Sequence, residues 1–109
     1  MNDSAREAQL DRLRREYHLE RFIDHLRFER GVSARTIEAY DHDVTRLATF
    51  LVARGRALDE VSGTDLRSFV LRLKDLGLAA SSIARNISAM KTYFGFLVAE
   101  SLVQSDPRE

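Results

Sequence analysis

Residues 77–99, GLAASSIARNISAMKTYFGFLVA, decide the fold of this 109-residue chain. Within this stretch, apolar side chains recur every three or four residues, at Ile83, Ile87, Met90, Phe94 and Leu97. That spacing places them on one side of an α-helix, so the stretch predicts a long amphipathic helix packed on a core. The glycine at its start is typical of the residue that ends a preceding helix.

Three further helices are predicted upstream by the same spacing. The second of them begins at the N-cap Ser33 and the third at Ser62. Ser62 and Asp65 have the spacing of a capping box, and Val61 and Leu66 that of a hydrophobic staple. The three apolar stripes are Leu19, Phe22, Ile23 and Leu26; Ile37, Tyr40, Val44, Leu47 and Leu51; and Leu66, Phe69, Val70 and Leu73.

No stretch alternates apolar and polar residues with period two, so no strand is predicted. The predicted fold is all-α, a compact bundle of four to five helices. Residues 1–16 are expected to form a charged tail that could be helical and need not belong to the core. Residues 17–104 would form the helical domain, in which Leu102-Val103 could add one more helical turn. Residues 105–109 would begin a linker, because the residue before Pro107 is biased away from helix.

Composition limits the classes of protein that this chain can represent. Its 17 basic and 17 acidic side chains give a formal net charge of zero, which counts against a strong stand-alone nucleic-acid binder. The chain has no Cys, which excludes disulfides and thiolate metal sites. No apolar run approaches the roughly 20 residues of a membrane span, and the first residues are too polar for a signal peptide. We therefore expect a cytoplasmic protein with no cofactor, no membrane partner and no small-molecule ligand.

Two helix starts resemble each other at an offset of 46 residues. GVSARTI at 31–37 is similar to GLAASSI at 77–83, and the register continues into the apolar stripes. One interpretation is that any two amphipathic helices after glycine turns look alike. The other is that both helix N-termini face one partner, since exposed backbone amides and hydroxyls there can bind phosphate.

The side of the 77–99 helix opposite its apolar stripe is small, hydroxylated and basic. No acidic residue occurs from 76 to 99. Small side chains allow close approach, hydroxyls donate to phosphates or base edges, and an arginine can contact guanine through two hydrogen bonds. This composition favours a helix in a DNA major groove, and an ordinary solvent-exposed polar face is the alternative. The residues on this side are Ser81, Arg85, Ser88 and Thr92, with Lys91 and Ala89 beside them and Gly95 beyond.

The outer side of the helix that begins at Ser33 is more mixed. Its first turn, with Ser33, Arg35 and Thr36, suits phosphate binding. Its later turns combine His42 and Arg46 with acidic residues such as a glutamate at 38, so base contacts are not expected there.

Residues that could suggest a catalytic or metal-binding motif are more simply explained by chance or by packing. His18 and Arg21 match an H-x-x-R pattern that we attribute to chance, and Asp41-His42-Asp43 is not expected to bind metal, because adjacent helical residues point about 100° apart. Tyr40 and Tyr93 lie on or beside apolar stripes, so packing is expected for both. The sequence contains no Gly-rich phosphate loop and no nucleophile elbow.

Taken in order, several stretches resemble the SAM-like core-binding domain of Xer-type and phage-integrase tyrosine recombinases. They are residues 28–37 with Tyr40 and Asp43, residues 61–70, residues 77–97, and residues 102–107, which look like that family's run into the interdomain linker. The resemblance departs from the family at Ala79, where a capping Ser is usual, so that Ser81 or a water would cap instead. It also departs at Ser101 and Asp106, where Gly and Asn are usual.

The resemblance implies that the second and fourth helices face the major groove of a double-stranded recombination site. Full-length members cut and rejoin DNA through a phosphotyrosine intermediate, without metal, and act with other protomers in a synaptic tetramer. Their catalytic residues would lie after Glu109, so this chain by itself is not expected to be an enzyme. The expected role is resolution of chromosome or plasmid dimers during chromosome partition at cell division. The sequence does not distinguish that role from phage or transposon integration.

The sequence leaves two other functions open. A helical protein–protein module is the first, since SAM-like folds also associate with one another and the charge balance suits that. A stand-alone helix-turn-helix repressor is the second, although the chain lacks a dimerisation helix and net positive charge. The predicted DNA-binding residues are Ser33, Arg35, Thr36, Ser81, Ser82, Arg85, Ser88, Lys91 and Thr92.

Overall fold

The structure, a computed structural model, describes residues 3–28 and 31–108. Within these ranges the chain forms five α-helices and no strand, which confirms the predicted all-α bundle. The helices are α1 (Asp3–Glu16), α2 (Leu19–Phe28), α3 (Ala34–Ala53), α4 (Gly63–Asp75) and α5 (Ala80–Ala99), and one turn of 3-10 helix lies at Leu58–Glu60. The outer ends of the predicted tail and linker, at residues 1–2 and 109, and the family-like pair at 29–30 lie outside the described residues.

Two helices begin at the caps that the sequence predicts. The Ser33 hydroxyl accepts a hydrogen bond from the Thr36 amide at 3.2 Å. At the start of α4, the Ser62 hydroxyl accepts from the Asp65 amide at 3.3 Å, and the Ser62 amide donates to the Asp65 carboxylate at 2.9 Å. These reciprocal bonds satisfy two backbone donors that a helix otherwise leaves unpaired, and they confirm the predicted capping box.

The similarity between residues 31–37 and 77–83 extends to the helices that follow. Both α3 and α5 are 20 residues long, and their first and last residues are each separated by the same 46 positions. The turns before them contain Gly31 and Gly77, with φ of +63° and +78°, a region that glycine occupies at little cost. One difference is that Ala79, the N-cap of α5, makes no side-chain capping bond.

The core lies where α2, α4 and α5 pack around α3. Phe22 and Tyr93 are fully buried and meet edge to face, with 5.3 Å between ring centroids. The Tyr93 hydroxyl donates to the Tyr17 carbonyl at 2.6 Å, which satisfies its polar atom inside the core. Burial of Tyr93 raises its pKa, and the neighbouring Tyr17 adds to that effect. The expected packing role of Tyr93 is therefore confirmed.

Some sequence expectations about burial are wrong in detail. Ala89, placed beside the exposed side of α5, is fully buried. Ala48 of α3 is also fully buried, and small side chains of this kind let neighbouring helices approach closely. Ile83, Ile87 and Val70, predicted to be buried, are only half-buried, at the edge of the core. Leu102-Val103 forms no helical turn, although Val103 is buried.

The two ends of the described chain pack differently on this core. No residue of α1 is buried, and Leu13 is the only apolar residue of this helix that is half-buried against the core. The segment 101–108 folds back over α4 and α5, burying Val103 and Pro107. There the Gln104 amide donates to Asp59 at 3.2 Å, and Arg108 donates to the Lys91 carbonyl at 2.9 Å. None of the helices in the described ranges combines the length and apolarity that a membrane crossing requires.

Candidate nucleic-acid interface

The predicted second and fourth helices are α3 and α5, because the charged segment before Tyr17 forms a helix of its own. Polar contacts join α3 and α5 along their length. The Tyr40 hydroxyl lies 2.9 Å from the Ser88 hydroxyl, so the predicted outer side of α5 meets α3 at this point. Two further contacts between the helices involve arginine side chains, and they determine the chemistry of the surface.

Arg85 of α5 forms a two-bond ion pair with Asp43 of α3. Its Nε and Nη2 each lie 2.8 Å from a different carboxylate oxygen. The Asp43 side chain is 1% exposed and that of Arg85 is 44% exposed, so the acid lies inside and the guanidinium at the surface. The hydrogen bonds and charge of Asp43 raise the pKa of Arg85, which therefore keeps its positive charge.

This ion pair corrects one expectation drawn from the sequence. The acid-free run from 76 to 99 suggests that Arg85 faces a partner without a neighbouring carboxylate. That expectation is wrong, because α3 supplies Asp43 from 42 positions away. One edge of the guanidinium is occupied, and only its remaining N–H groups point away from the pair.

Arg46 of α3 makes a single, longer hydrogen bond to Asn86 of α5. Arg46 Nη1 donates to Asn86 Oδ1 at 3.3 Å, and Asn86 Nδ2 donates to the Ser82 carbonyl at 2.8 Å. Asn86 is 1% exposed, whereas Arg46 is exposed. Neither residue was among the predicted site residues. Asn86 lies between Ile83 and the next apolar positions of the stripe, and a polar residue buried there must find hydrogen-bond partners.

The two held arginines line the same shallow, open groove between α3 and α5. Arg35, a predicted site residue, lines it as well, together with His42, which was not predicted to take part. Positively charged side chains therefore outnumber the single carboxylate that lines the groove, that of Glu38. The lining is Arg35, Glu38, Ala39, His42, Arg46 and Arg85.

The structure does not bring all the predicted residues into this groove. Lys91 and Thr92 line a second open cleft, toward the C-terminal end of α5, with His25, Glu100 and Arg108. A β-carbon on Gly95, which the sequence places on the exposed side, would lie 3.5 Å from Arg108 Nη1. The segment 101–108 thus covers part of the predicted surface of α5.

The serines and threonine at the helix starts have mostly local contacts. The Ser33 hydroxyl lies 3.0 Å from that of Thr36, so both are engaged with each other. Ser81 is exposed and Ser82 is half-buried at the start of α5. A role for these first turns in phosphate binding stays a prediction.

The residues of the Asp41-His42-Asp43 triplet have different surroundings. Asp41 accepts a hydrogen bond from Arg14 at 2.8 Å, Asp43 pairs with Arg85, and His42 lines the groove. Within residues 3–28 and 31–108, no three potential metal ligands come together. The three side chains therefore point to different surroundings, as expected for adjacent residues of a helix.

The fold and this surface define a class: an all-helical domain with an arginine-lined groove between its two longest helices. A family model described as the phage integrase, N-terminal SAM-like domain, matches residues 19–101. The chain therefore belongs to the N-terminal SAM-like domain family of phage integrases, as the resemblance implied.

Curated relatives agree with this assignment. Tyrosine recombinase XerD of Rhizobium meliloti is 39% identical over 90 residues, which cover 83% of this chain and 29% of that protein. XerD of Chlorobaculum tepidum is 40% identical over 91 residues, covering 84% and 30%. XerC of a Roseiflexus species is 39% identical over 92 residues, covering 84% and 29%. The chain thus spans less than a third of each of these relatives. No solved structure gives a significant match.

Proposed function

We propose that this chain is the DNA-gripping, non-catalytic domain of a Xer-type tyrosine recombinase, and that α3 and α5 lie against a recombination-site duplex. The supporting observation is the groove between these helices, where Arg35, Arg46 and Arg85 converge from two elements. Guanidinium groups are the side chains best suited to phosphate oxygens and guanine edges. Because Arg46 and Arg85 are hydrogen-bonded to buried partners, their remaining N–H donors have a defined orientation.

The neutral charge of the whole chain does not oppose this proposal. Affinity for a polyanion depends on the phosphates that local cations neutralise, and the groove is locally basic although the chain is not. Arg85 contributes less net charge than Arg35 or Arg46, because Asp43 lies beneath it. We therefore expect modest affinity for duplex DNA and a clear dependence on salt.

The remaining parts of the proposal follow from the family. In the whole protein, a catalytic domain elsewhere in the polypeptide would cut and rejoin DNA, and protomers would assemble as a tetramer on two sites in the cytoplasm. Residues 17–104 would be the core-binding helical domain, residues 1–16 a charged N-terminal tail, and residues 105–109 the start of the linker to the catalytic domain. The role would be resolution of chromosome or plasmid dimers, as the resemblance to Xer-type recombinases implies.

The test is binding of this chain to a fluorescently labelled 30-base-pair duplex of random sequence. Fluorescence anisotropy measures the affinity at several salt concentrations. Changing Arg35 and Arg46 together to Gln should weaken binding about tenfold or more, and should lower the slope of log affinity against log salt by roughly two. Arg72→Gln with Lys74→Gln on α4 makes the same charge change away from the groove and should have little effect.

The proposal fails if the chain does not bind the duplex at low salt. It also fails if the α4 control weakens binding as much as the groove variant does. Tight self-association in sedimentation, together with absence of DNA binding, would favour the helical protein–protein module instead.

A further inference from the structure

The described part of the chain buries three polar or charged residues, and two of them lie between α3 and α5. These two are Asp43 and Asn86. Each one accepts hydrogen bonds from an arginine of the opposite helix: Asp43 of α3 from Arg85, and Asn86 of α5 from Arg46. The exchange is reciprocal, and both arginines reach the same groove.

A stable helix interface does not in general need buried polar pairs of this kind. Burying a carboxylate or an amide is costly unless its hydrogen bonds are satisfied. Apolar residues of similar volume commonly stabilise a helix interface at least equally well. In each pair the buried member is the acceptor and the exposed member is the cation. The outward groups are thus the ones that a polyanion would contact.

Holding a guanidinium in place has a consequence for binding. A long exposed side chain loses rotamer freedom when it binds, and that loss weakens the complex. An arginine already fixed along one edge has lost much of this freedom during folding, while its other N–H groups remain available. Arg35 lines the same groove and is exposed, and no such buried acceptor holds it among the contacts of the described residues.

We infer that Asp43 and Asn86 are positioning residues, which hold the guanidinium groups of Arg85 and Arg46 across the groove in the orientation that contacts duplex phosphates or bases. This inference rests on the proposed function. The two positioning residues differ in charge. Asp43 fixes Arg85 and reduces its net attraction, whereas neutral Asn86 fixes Arg46 and leaves its full charge. The groove therefore combines one cation that acts mainly through geometry with another that also contributes charge.

The sharpest test uses Asn86→Leu, which removes the acceptor, keeps the branched shape of the side chain and changes no charge. Affinity for the random 30-base-pair duplex should fall about threefold to tenfold, since one arginine must then be ordered on binding. The salt slope should stay the same, because Arg46 still neutralises a phosphate, whereas Arg46→Gln should lower the slope by roughly one. In the Arg46→Gln background, Asn86→Leu should have no further effect on binding.

A purely structural role for Asn86 gives a different result. In that case Asn86→Leu would change affinity by the same factor with or without Arg46, or would lower only the unfolding temperature. Either outcome overturns the inference while wild-type binding upholds the proposed function. If the wild-type chain does not bind the duplex at all, the proposed function fails and the inference falls with it.

A second measurement does not depend on whether the leucine variant folds. Nitrogen-15 relaxation of the arginine Nε–H groups in the wild-type chain should show Arg85 and Arg46 more ordered than Arg35, their neighbour in the groove. Equal mobility of all three arginines would contradict the inference. Asn86→Ala gives a second variant for the binding cycle with Arg46→Gln.

Discussion

Arg85 at the surface and Asp43 in the interior form one ion pair whose two members differ widely in burial. The carboxylate is 1% exposed and the guanidinium 44% exposed. If Asp43 loses its charge, Arg85 can still be hydrated. If Arg85 is removed, a carboxylate stays buried without its partner. The pair is therefore asymmetric in what each member contributes to stability.

We predict that Arg85→Met destabilises the fold more than Asp43→Asn does. Leaving a buried charge uncompensated should cost about 3 kcal/mol, whereas Asp43→Asn should cost about 1 kcal/mol, because the amide keeps one acceptor and Arg85 keeps its contact with water. Urea unfolding at neutral pH measures both values. Combining Asp43→Asn with Arg85→Met should recover part of the loss, and equal costs for the two single variants would contradict the asymmetry.

The surroundings of Asp65 lead us to predict that the free energy of unfolding falls in acid. Burial raises the pKa of this carboxyl, which is 1% exposed. The Ser62 amide and the side chains of Arg56 and Arg54 outweigh burial and lower that pKa from 3.8 to about 2. A depressed pKa in the folded state means that the stabilisation is complete above about pH 4 and is lost as the pH falls toward 2.

The corresponding measurement is urea unfolding at a series of pH values. About 2 kcal/mol of unfolding free energy should disappear between pH 4 and pH 2, and Asp65→Asn should remove most of that dependence while destabilising the fold at pH 7. Asp75→Asn, near the other end of α4, is the control and should leave the pH dependence intact. An unchanged profile in Asp65→Asn would contradict the assignment.

Ser101 offers a stabilising substitution. Its φ of +56° lies in the left-handed region, which costs a residue with a β-carbon about 1 kcal/mol or more. Ser101→Gly should therefore raise the unfolding free energy by about 0.5–1 kcal/mol, while Ser101→Ala should not. Thermal unfolding of both variants is the measurement. The position is one where the family resemblance leads us to expect glycine.

Arg14 is expected to fasten α1 to the rest of the molecule. No residue of α1 is buried, and Arg14 donates to Glu20 at 2.7 Å and to Asp41 at 2.8 Å. Burial acts to lower the pKa of Arg14, but these two carboxylates raise it overall. Arg14→Gln should speed amide hydrogen exchange throughout α1, severalfold or more, and leave exchange in α5 unchanged. Arg15→Gln, a neighbouring exposed charge, is the matched control, and equal effects would argue against a special role for Arg14.

Glu38 should oppose DNA binding, because it is the carboxylate that lines the groove. Glu38→Gln removes this repulsion and should tighten binding to the random duplex about twofold to fivefold at low salt, with a smaller gain at higher salt. Glu100→Gln makes the same charge change in the second cleft, so its effect on DNA affinity can be compared with that of Glu38→Gln. A larger gain from Glu100→Gln would place the main DNA contact in that cleft instead.

Local sequence signals predicted the helices well for a physical reason. The N-cap bonds of Ser33 and Ser62 span only three residues, and the apolar stripes follow from the geometry of a single helix. The sequence did not predict which of the candidate site residues lie together. Arg35 and Arg85 were found to line one groove, whereas Lys91 lies in a separate cleft, because the side of one helix does not show which element crosses it.

The sequence by itself determined that the segments of α2, α3, α4 and α5 are helical, where α3 and α4 begin, and that a glycine turn precedes both α3 and α5. These features depend on interactions within a few residues. Only the tertiary structure decided that Asp43 lies under Arg85, that Asn86 holds Arg46, and that the segment after α5 covers part of its surface. The two arginine contacts span 42 and 40 positions. Their geometry is set by how two helices pack, and neither helix specifies that alone.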